Sequence, residues 1–375
     1  ALVTGNTVIF KPAPEAILVA WVLTEILYEA GVPKDVLQFI CCEDSPYGSS
    51  LIADQRIKMV ILTGATETAR LFMKIRPSLD LMAETGGKNC MIITDMCDRD
   101  LAVADLLKSA FGHAGQKCSA CSLAILEKNL YDDKHFLELL RDATASLKVA
   151  PSNHSSSKVN PLIVPPKGKL LRALTRLEAG ESWLLKPQQD PVNAHLWSPG
   201  IKLGVKLDSY TFTTEFFGPL LGIVKADNLD HAIDMANSSA YGLTGGLHSL
   251  DRREHSIWMK KIEVGNAYIN RSITGATVRR QAFGGYKNSA FGRGAKAGGP
   301  NYLPQFMNIE EIFAPHRGSQ LPAELGSMKN ILSHIDASCI EDWQISVRNY
   351  LYDYETYFSH FYDPSQITGE DNYLR

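Results

Sequence analysis

With 375 residues, of which 45% are hydrophobic and 21% charged, the chain has the composition of a globular protein and is long enough for two domains. Its formal net charge of −3, without any cluster of Lys and Arg interleaved with aromatic residues, argues against nucleic acid as a partner. No apolar stretch reaches the roughly 18 residues that a transmembrane helix requires, and the seven scattered cysteines suit a reducing compartment, so we expect a cytoplasmic protein.

The first 130 residues alternate short apolar stretches with amphipathic ones. Strands are predicted at "NTVIF", "VLQFI", "KMVIL", "DLMAE" and "CMIIT", and helices at residues 15–30, 66–76, 99–113 and 133–147. Because strands that alternate with helices are typical of a parallel, doubly wound sheet, the expected fold class is α/β. The opening "ALVTGNTVIFKP" has neither an initiating Met nor a signal-peptide pattern, and we expect that the chain is cut at its front.

The second half of the chain is less regular. Residues 151–200 contain several stretches rich in Pro, Ser and Lys that interrupt the pattern, and a second region of strands and helices is predicted from about 201 to 285. From residue 305 onward there are eleven acidic and only four basic side chains, together with many tyrosines. This composition indicates a tail of helices on the outside of a larger structure.

The stretch "FGHAGQKCSACS" puts two cysteines, Cys118 and Cys121, three positions apart. A redox pair is expected at the start of a helix after a strand, whereas this pair follows a predicted helix. No second Cys-x-x-Cys and no His-x-x-x-His accompanies it, so we expect no metal. Two interpretations stay open. Cys118 is either a nucleophile, activated in a loop beyond Gly112 and Gly115 where backbone N–H groups can stabilise a thiolate, or a buried structural cysteine.

Two further turns have residues suited to catalysis or to phosphate binding. "AETGGKN" puts Glu84 at the end of a predicted strand, before a Gly-Gly turn, where a carboxylate is a candidate general base. "ILTGATETARL" reads as a strand, a turn and a helix start, and the free N–H groups of a helix start suit a phosphate. Because no Gly-x-Gly-x-x-Gly accompanies it, the alternative for this stretch is an ordinary connection between a strand and a helix.

These stretches, together with "GNTVIFKP", "TEFFGPLLGIV", "YGLTGG", "VGNAYIN" and "AFGGYKNSAFG", resemble the aldehyde dehydrogenases in order and spacing over residues 1 to about 303. Within that family, "FGHAGQKCSA", "NRSITGATV" and "AKAGGPNYL" are most similar to the glutamate semialdehyde (1-pyrroline-5-carboxylate) dehydrogenases, especially the dehydrogenase part of bifunctional proline utilisation proteins. The resemblance implies an aldehyde dehydrogenase fold with four parts. They are part of a Rossmann-like cofactor domain (1–84), a catalytic domain (85–285), a return segment to the cofactor domain (286–304) and a helical tail or linker (305–375).

The resemblance also implies the roles of individual residues. Cys118 would attack the aldehyde to give a thiohemiacetal and then a thioester, which Glu84 would hydrolyse by activating water, while Cys121 takes no part. The implied cofactor is NAD, although a proline at position 14, where many members have glutamate, leaves NADP open. The implied cofactor contacts are Lys11 at the adenosine ribose, Thr63, Gly64 and Ala65 at the pyrophosphate, Glu215 at the nicotinamide ribose and Phe217 at the nicotinamide. Ala65 replaces the family's usual serine, so one hydroxyl contact is lost.

The substrate implied by the resemblance has an α-carboxylate that must be desolvated in a pocket, which requires hydrogen-bond donors there. Ser119 and the backbone at Gly275 and Ala276 match the family's anchor for this carboxylate, and Phe283 would pack on the substrate's methylene groups. Without the resemblance, "SITGATV" would be an ordinary loop and Phe283 an ordinary core residue.

The resemblance implies NAD-dependent oxidation of L-glutamate 5-semialdehyde to L-glutamate, the second step of proline degradation. It further implies fusion to a proline dehydrogenase domain, a homo-oligomer, and a cytoplasmic location that allows peripheral membrane attachment through the parent protein. One alternative is a non-catalytic segment of a larger polypeptide, inactive without an N-terminal part that supplies an asparagine to hold the oxyanion. Another is a thiol redox module of Cys118 and Cys121. Aldehyde-dependent formation of NADH distinguishes the enzyme from both.

Overall fold

The computed structural model describes residues 1–278, 280–310 and 336–358. The chain divides into two compact units, of which the first consists of residues 1–276 and 283–297 and the second of residues 277–282 and the chain from 298 onward. Among the described helices, none has both the length and the apolar character needed to cross a bilayer.

The first unit contains all of the described strands. They are β1 (Val8–Phe10), β2 (Leu37–Phe39), β3 (Met59–Thr63), β4 (Asp80–Glu84), β5 (Asn89–Ile93), β6 (Cys121–Glu127), β7 (Ser182–Leu185), β8 (Gly200–Leu203), β9 (Leu220–Ala226), β10 (Tyr241–Gly242), β11 (Thr244–His248), β12 (Asn266–Ile269), β13 (Tyr286–Lys287) and β14 (Ala290–Phe291). Its α-helices are α1 (Ile17–Glu29), α2 (Ser49–Ala53), α3 (Thr66–Ile75), α4 (Arg99–Phe111), α5 (Lys128–Asp132), α6 (Lys134–Ala145), α7 (Gly168–Thr175), α8 (Tyr210–Thr213), α9 (Leu229–Asn237) and α10 (Arg252–Lys261).

In the second unit, the described part contains the helix α11 (Ala337–Asp353), a 3-10 turn at Leu303–Phe306 and a π turn at Tyr354–Phe358. The helix α11 lies in the tail for which helices are predicted. Residues 311–335 and 359–375 of that tail lie outside the described residues.

The predicted alternation of strands and helices is confirmed. The five predicted strands correspond to β1 to β5, and the four predicted helices to α1, α3, α4 and α6. Two of these helices begin at aspartates that accept backbone N–H bonds, Asp98 before α4 and Asp133 before α6, as N-cap residues do. The irregular region 151–200 still contains a helix and a strand, α7 and β7.

The described strands form four sheets, and parallel pairing prevails, as an α/β fold requires. The largest has the order β12-β11-β5-β6-β9-β8-β7 and is parallel except between β7 and β8. A second sheet joins β3 and β4 in parallel and adds β14 antiparallel, while β1–β2 and β10–β13 form two small pairs. The first five strands therefore lie in three sheets, β1 with β2, β3 with β4, and β5 in the largest sheet.

Strand β5, the third of the seven strands in the large sheet, shows how that sheet is buried. Met91 and Ile93 face one apolar cluster, which includes side chains of α4 and α6, and Ile92 faces a second cluster with side chains of α9 and α10. A sheet covered on both faces is the α/β arrangement. Strands β11, β5, β6 and β9 are parallel neighbours, so their amino ends lie at the same end of the sheet. The segments that precede β5, β6 and β9 therefore meet there, together with the start of β11.

Candidate active site

Cys118 lies in the loop that joins the 3-10 turn Gly112–Gly115 to β6, and it is half-buried. Burial is the main cause that raises the pKa of its thiol, and the carboxylates of Glu84 and Glu215 raise it further. The N–H of Ser119 is hydrogen-bonded toward the sulfur and lowers the pKa. Both carboxylates therefore lie close enough to Cys118 to influence its charge.

Cys121 is in a different environment from Cys118. It is the first residue of β6, it is 1% exposed, and its Sγ donates to the backbone oxygen of Leu123 at 3.2 Å. Burial strongly raises the pKa of this thiol, so it has no tendency to form a reactive thiolate. The two cysteines thus differ in exposure and in chemistry, which disfavours a redox pair.

Glu84 ends β4, at the carboxyl end of the smaller sheet, as the sequence predicts for a candidate base. Burial raises its pKa to about 7, and the positive charge of Lys296 opposes this shift. Among the described residues, its Oε2 atom is buried without a hydrogen-bond partner. A carboxylate that titrates near neutrality and has a vacant acceptor atom is suited to taking a proton from water.

The turn Gly86–Gly87 brings three functional groups together. The N–H of Gly87 donates to Glu215 Oε1 at 3.0 Å. A Cβ atom on Gly86 would lie 1.9 Å from Glu215 Oε2, and one on Gly87 would lie 2.8 Å from the backbone oxygen of Cys118. Side chains are therefore excluded at both positions, and the two glycines allow the Glu215 carboxylate and the Cys118 loop to approach the backbone that follows Glu84.

Glu215 and Phe217 lie in the segment between α8 and β9. Burial raises the pKa of Glu215, while the Gly87 N–H and two lysines, Lys169 and Lys88, lower it. Phe217 is 40% exposed and has a φ of 55°, a left-handed conformation that costs a bulky side chain free energy. Strained residues of this kind concentrate at functional sites, so this one supports a role for the segment.

The residues predicted for the dinucleotide phosphates lie where β3 ends and α3 begins. Thr63 is the last residue of β3, and the N–H of Gly64 donates to the backbone oxygen of Glu84 at 3.2 Å. Ala65 precedes α3, and no described side chain caps this helix start. Lys11 pairs with Asp44 at 2.9 Å, and Asp44 is exposed. An uncapped helix start, the half-buried Lys11 and the half-buried carboxylate of Glu215 supply donors and an acceptor of the kinds that a dinucleotide requires.

The residues predicted for the substrate fall in three places. Ser119 is 6% exposed and adjoins Cys118. Gly275, with a φ of 87°, and Ala276 lie on the loop after β12, and Phe283 pairs with Ala297 through two backbone hydrogen bonds of 2.9 and 2.8 Å. Electrostatic effects or hydrogen bonds thus connect Cys118, Glu84 and Glu215, and the phosphate turn joins them through the bond from Gly64 to Glu84. Lys11 and Phe283 contact residues outside this group, Asp44 and Ala297.

Three residues of this site were not assigned a role from the sequence: Asn89, Thr244 and Lys296. Asn89 and Thr244 hold the Cys118 loop, and Lys296 influences Glu84. Asn89 stands in the quoted stretch "AETGGKN" and Thr244 in "YGLTGG", but their partners are 29 and 125 residues away in the chain. Local pattern therefore could not reveal these contacts.

Together, the fold and these contacts define an α/β protein with a cysteine and a carboxylate between two sheets. A family model described as the aldehyde dehydrogenase family matches residues 1–312. The chain belongs to the aldehyde dehydrogenase family. Among curated relatives, it is 33% identical over 326 residues to a 1-pyrroline-5-carboxylate dehydrogenase of Staphylococcus haemolyticus, which covers 83% of this chain and 62% of the relative. The chain thus spans about three fifths of the length of such relatives.

Solved structures of related proteins also resemble this chain. Proline utilization A (PutA) from Corynebacterium freiburgense is 44% identical, superimposes with a TM-score of 0.90, and matches 98% of this chain but 37% of its own. A 1-pyrroline-5-carboxylate dehydrogenase from Thermus, solved with bound NAD, is 32% identical with a TM-score of 0.74, over 80% of this chain and 59% of its own. Both likenesses establish the aldehyde dehydrogenase fold for this chain.

Proposed function

We propose that this protein is an NAD-dependent aldehyde dehydrogenase that oxidises L-glutamate 5-semialdehyde to L-glutamate. The observation that carries the proposal is the convergence of Cys118, Glu84 and Glu215 on the turn Gly86–Gly87. Relatives at 33% identity that have the name 1-pyrroline-5-carboxylate dehydrogenase support the choice of substrate.

The chemistry of the two central residues fits an oxidation followed by a hydrolysis. The Cys118 thiolate adds to the aldehyde carbon and forms a thiohemiacetal with a C–S bond. Loss of hydride from that carbon leaves a thioester, and NAD, when bound, supplies the acceptor for the hydride. Glu84 then takes a proton from water as the water oxygen adds to the thioester carbon, and the C–S bond breaks to release the acid and the thiol.

The cofactor would contact both sheets. Its phosphates would bind near Thr63, Gly64 and Ala65 at the uncapped start of α3, and Lys11 would exchange Asp44 for the adenosine ribose. Glu215 would accept hydrogen bonds from the nicotinamide ribose, with Phe217 beside the nicotinamide. The bond from Gly64 to Glu84 gives the phosphate turn a direct connection to the base. We propose NAD rather than NADP as the cofactor, and the NAD-bound structure of the Thermus relative supports this choice.

The substrate would reach Cys118 with its α-carboxylate directed away from the sulfur. Ser119 and the backbone at Gly275 and Ala276 are the proposed donors for this carboxylate, and Phe283 is the proposed contact of the methylene groups. The N–H of Ile273 donates to the buried Ser109 Oγ at 3.0 Å, which ties the Gly275 loop to α4 and supports a fixed anchor.

The arrangement of the sheets supports a division of the chain into four parts. We propose that residues 1–84 are part of the cofactor domain, 85–285 the catalytic domain, 286–304 a return segment to the cofactor domain and 305–375 a tail or linker. The change of sheet after Glu84 and the pairing of β14 with β4 support these boundaries. Likeness to PutA proteins supports fusion to a proline dehydrogenase domain. We further propose a cytoplasmic homo-oligomer whose parent protein allows peripheral membrane attachment.

Ser119→Ala tests the substrate assignment. A lost hydrogen bond to a charged group is worth about 1.5–3 kcal/mol, so KM for glutamate semialdehyde should rise about tenfold to hundredfold. The KM for an uncharged aliphatic aldehyde of similar length should change little. NADH absorbance with each aldehyde, and with NADP in place of NAD, gives the measurement. Equal changes in KM for the two aldehydes would reject the carboxylate anchor.

A further inference from the structure

The backbone oxygens of the Cys118 loop are held by two buried side chains from neighbouring strands. Asn89, the first residue of β5 and 3% exposed, donates from Nδ2 to the oxygens of Cys118 and Ala120 at 2.7 and 2.9 Å. Thr244, the first residue of β11 and 1% exposed, donates from Oγ1 to the oxygen of Ser119 at 3.3 Å. Three consecutive carbonyl groups at the nucleophile therefore have a partner each.

Asn89 is itself fixed in orientation. Its Oδ1 accepts the backbone N–H of Thr244 at 3.0 Å, so both ends of the amide are engaged and the side chain cannot turn over without losing three bonds. The absence of a side chain at Gly87 leaves room for this arrangement, because a Cβ there would lie 2.6 Å from Asn89 Oδ1. A buried side chain with both polar ends bonded forms a rigid support for the loop.

The bond from Asn89 to Cys118 acts on the peptide group that faces the sulfur. The carbonyl of Cys118 and the N–H of Ser119 belong to one planar peptide unit, so holding the oxygen fixes the direction of the N–H. That N–H is one of two backbone donors turned toward the Cys118 sulfur, and it has a larger effect than the other, the N–H of Cys118 itself. A donor on the carbonyl also polarises the peptide, which strengthens its N–H as a donor.

We propose that Asn89 is a positioning residue for the nucleophile, which holds the Cys118–Ser119 peptide so that its N–H stabilises the thiolate. This inference rests on the proposed function only in taking Cys118 as the nucleophile. The charged groups that act on the same sulfur are the carboxylates of Glu84, from β4, and Glu215, from the segment before β9, and both oppose the thiolate. Asn89 acts through the neutral peptide, and it favours the thiolate that the two carboxylates disfavour.

The experiment measures the rate at which iodoacetamide alkylates Cys118 over a series of pH values, with the Cys118 peptide identified by mass spectrometry to separate it from the other six cysteines. Because only the thiolate reacts, the midpoint of the profile reports the pKa of the thiol. Asn89→Ala should raise this midpoint by about one pH unit, so that alkylation below the midpoint slows about tenfold. Glu84→Gln should lower the midpoint, because it removes a negative charge near the sulfur.

Thr244→Val is the matched control. It removes a bond to the same loop, but to the oxygen of the next peptide, which does not face the sulfur, so the midpoint should stay where it is in the unaltered protein. Asn89→Ser, which keeps a shorter hydroxyl donor and disturbs packing less, should give a smaller upward shift. It replaces Asn89→Ala if circular dichroism shows that Asn89→Ala does not fold.

An unchanged midpoint in a folded Asn89 variant, or an equal shift in Thr244→Val, would overturn the proposal. Alkylation needs neither aldehyde nor cofactor, so a protein that forms no NADH but shows the predicted shift would reject the proposed function alone.

Discussion

Replacement of Glu84 by glutamine should separate the two chemical halves of the reaction at Cys118. The activated ester p-nitrophenyl acetate can acylate this thiol without cofactor, which releases nitrophenolate in a burst, and the acetyl thioester is then hydrolysed in a slower steady phase. Glutamine has nearly the same shape as glutamate but cannot take a proton from water. Since a positioned general base contributes about 10²–10⁴-fold, Glu84→Gln should retain the burst and slow the steady phase by about that factor.

The pKa of Glu84 determines the pH dependence of the steady phase. Burial raises this pKa to about 7, so about half of the chains have the ionised base at pH 7 and about a tenth have it one unit lower. The ionised form is the active one, so deacylation should increase with pH through about 7 and level off above it. Lys296 is the charge that lowers this pKa, and Lys296→Met should therefore move the midpoint upward.

The assay is stopped-flow absorbance of nitrophenolate, accompanied by mass spectrometry of the Cys118 peptide to follow the acetyl group. The account requires that Glu84→Gln accumulate acetyl-Cys118 and lose the pH midpoint near 7. Equal slowing of the burst and the steady phase, or a deacylation midpoint in the unaltered protein near the ordinary glutamate value of 4.5, would refute this reasoning.

Two further predictions concern the cofactor and the stability of the fold. Gly86→Ala should weaken NAD binding, measured by calorimetry, at least about tenfold, because the new Cβ would displace Glu215, whereas Gly112→Ala, with open space around its Cβ, should bind NAD as before. Lys202→Met should lower the free energy of unfolding in urea by about 3–5 kcal/mol, because it leaves the buried Glu181 carboxylate, 3.0 Å from the Lys202 Nζ, without its counter-charge. Adding Glu181→Leu should recover most of that loss, and a single variant as stable as the parent would contradict the estimate.

Much of the local structure could be predicted from the sequence because its determinants are local. The short apolar run "CMIIT" and the helical pattern of residues 99–113 correspond to β5 and α4. The nucleophile and the base could be proposed as Cys118 and Glu84 because each stands in a short stretch whose residue types suit its chemistry. The position of Glu84 at the end of β4 also follows from where its apolar run stops.

The assembly of the strands could not be predicted in the same way. Strands β4 and β5 are four residues apart in sequence yet lie in different sheets, and β5 pairs with β11 from more than 150 residues further along. Such pairing depends on which faces the complete set of helices can cover. The contacts of Asn89 and Lys296 follow from that pairing. The residues next to a polar side chain in the sequence do not indicate which distant residue it will contact.

The most direct test of the central claim is whether the carbon skeleton of the aldehyde becomes attached to Cys118 when NADH forms. The protein is mixed with NAD and L-glutamate 5-semialdehyde, quenched, and analysed for NADH absorbance and for the mass of the Cys118 peptide. In the Glu84→Gln variant, the account predicts a burst of NADH matched by a glutamyl thioester on Cys118. Cys118→Ala should give neither product, and Cys121→Ala should behave like the unaltered protein. Formation of NADH by Cys118→Ala, or an acyl group on a different residue, would contradict the account.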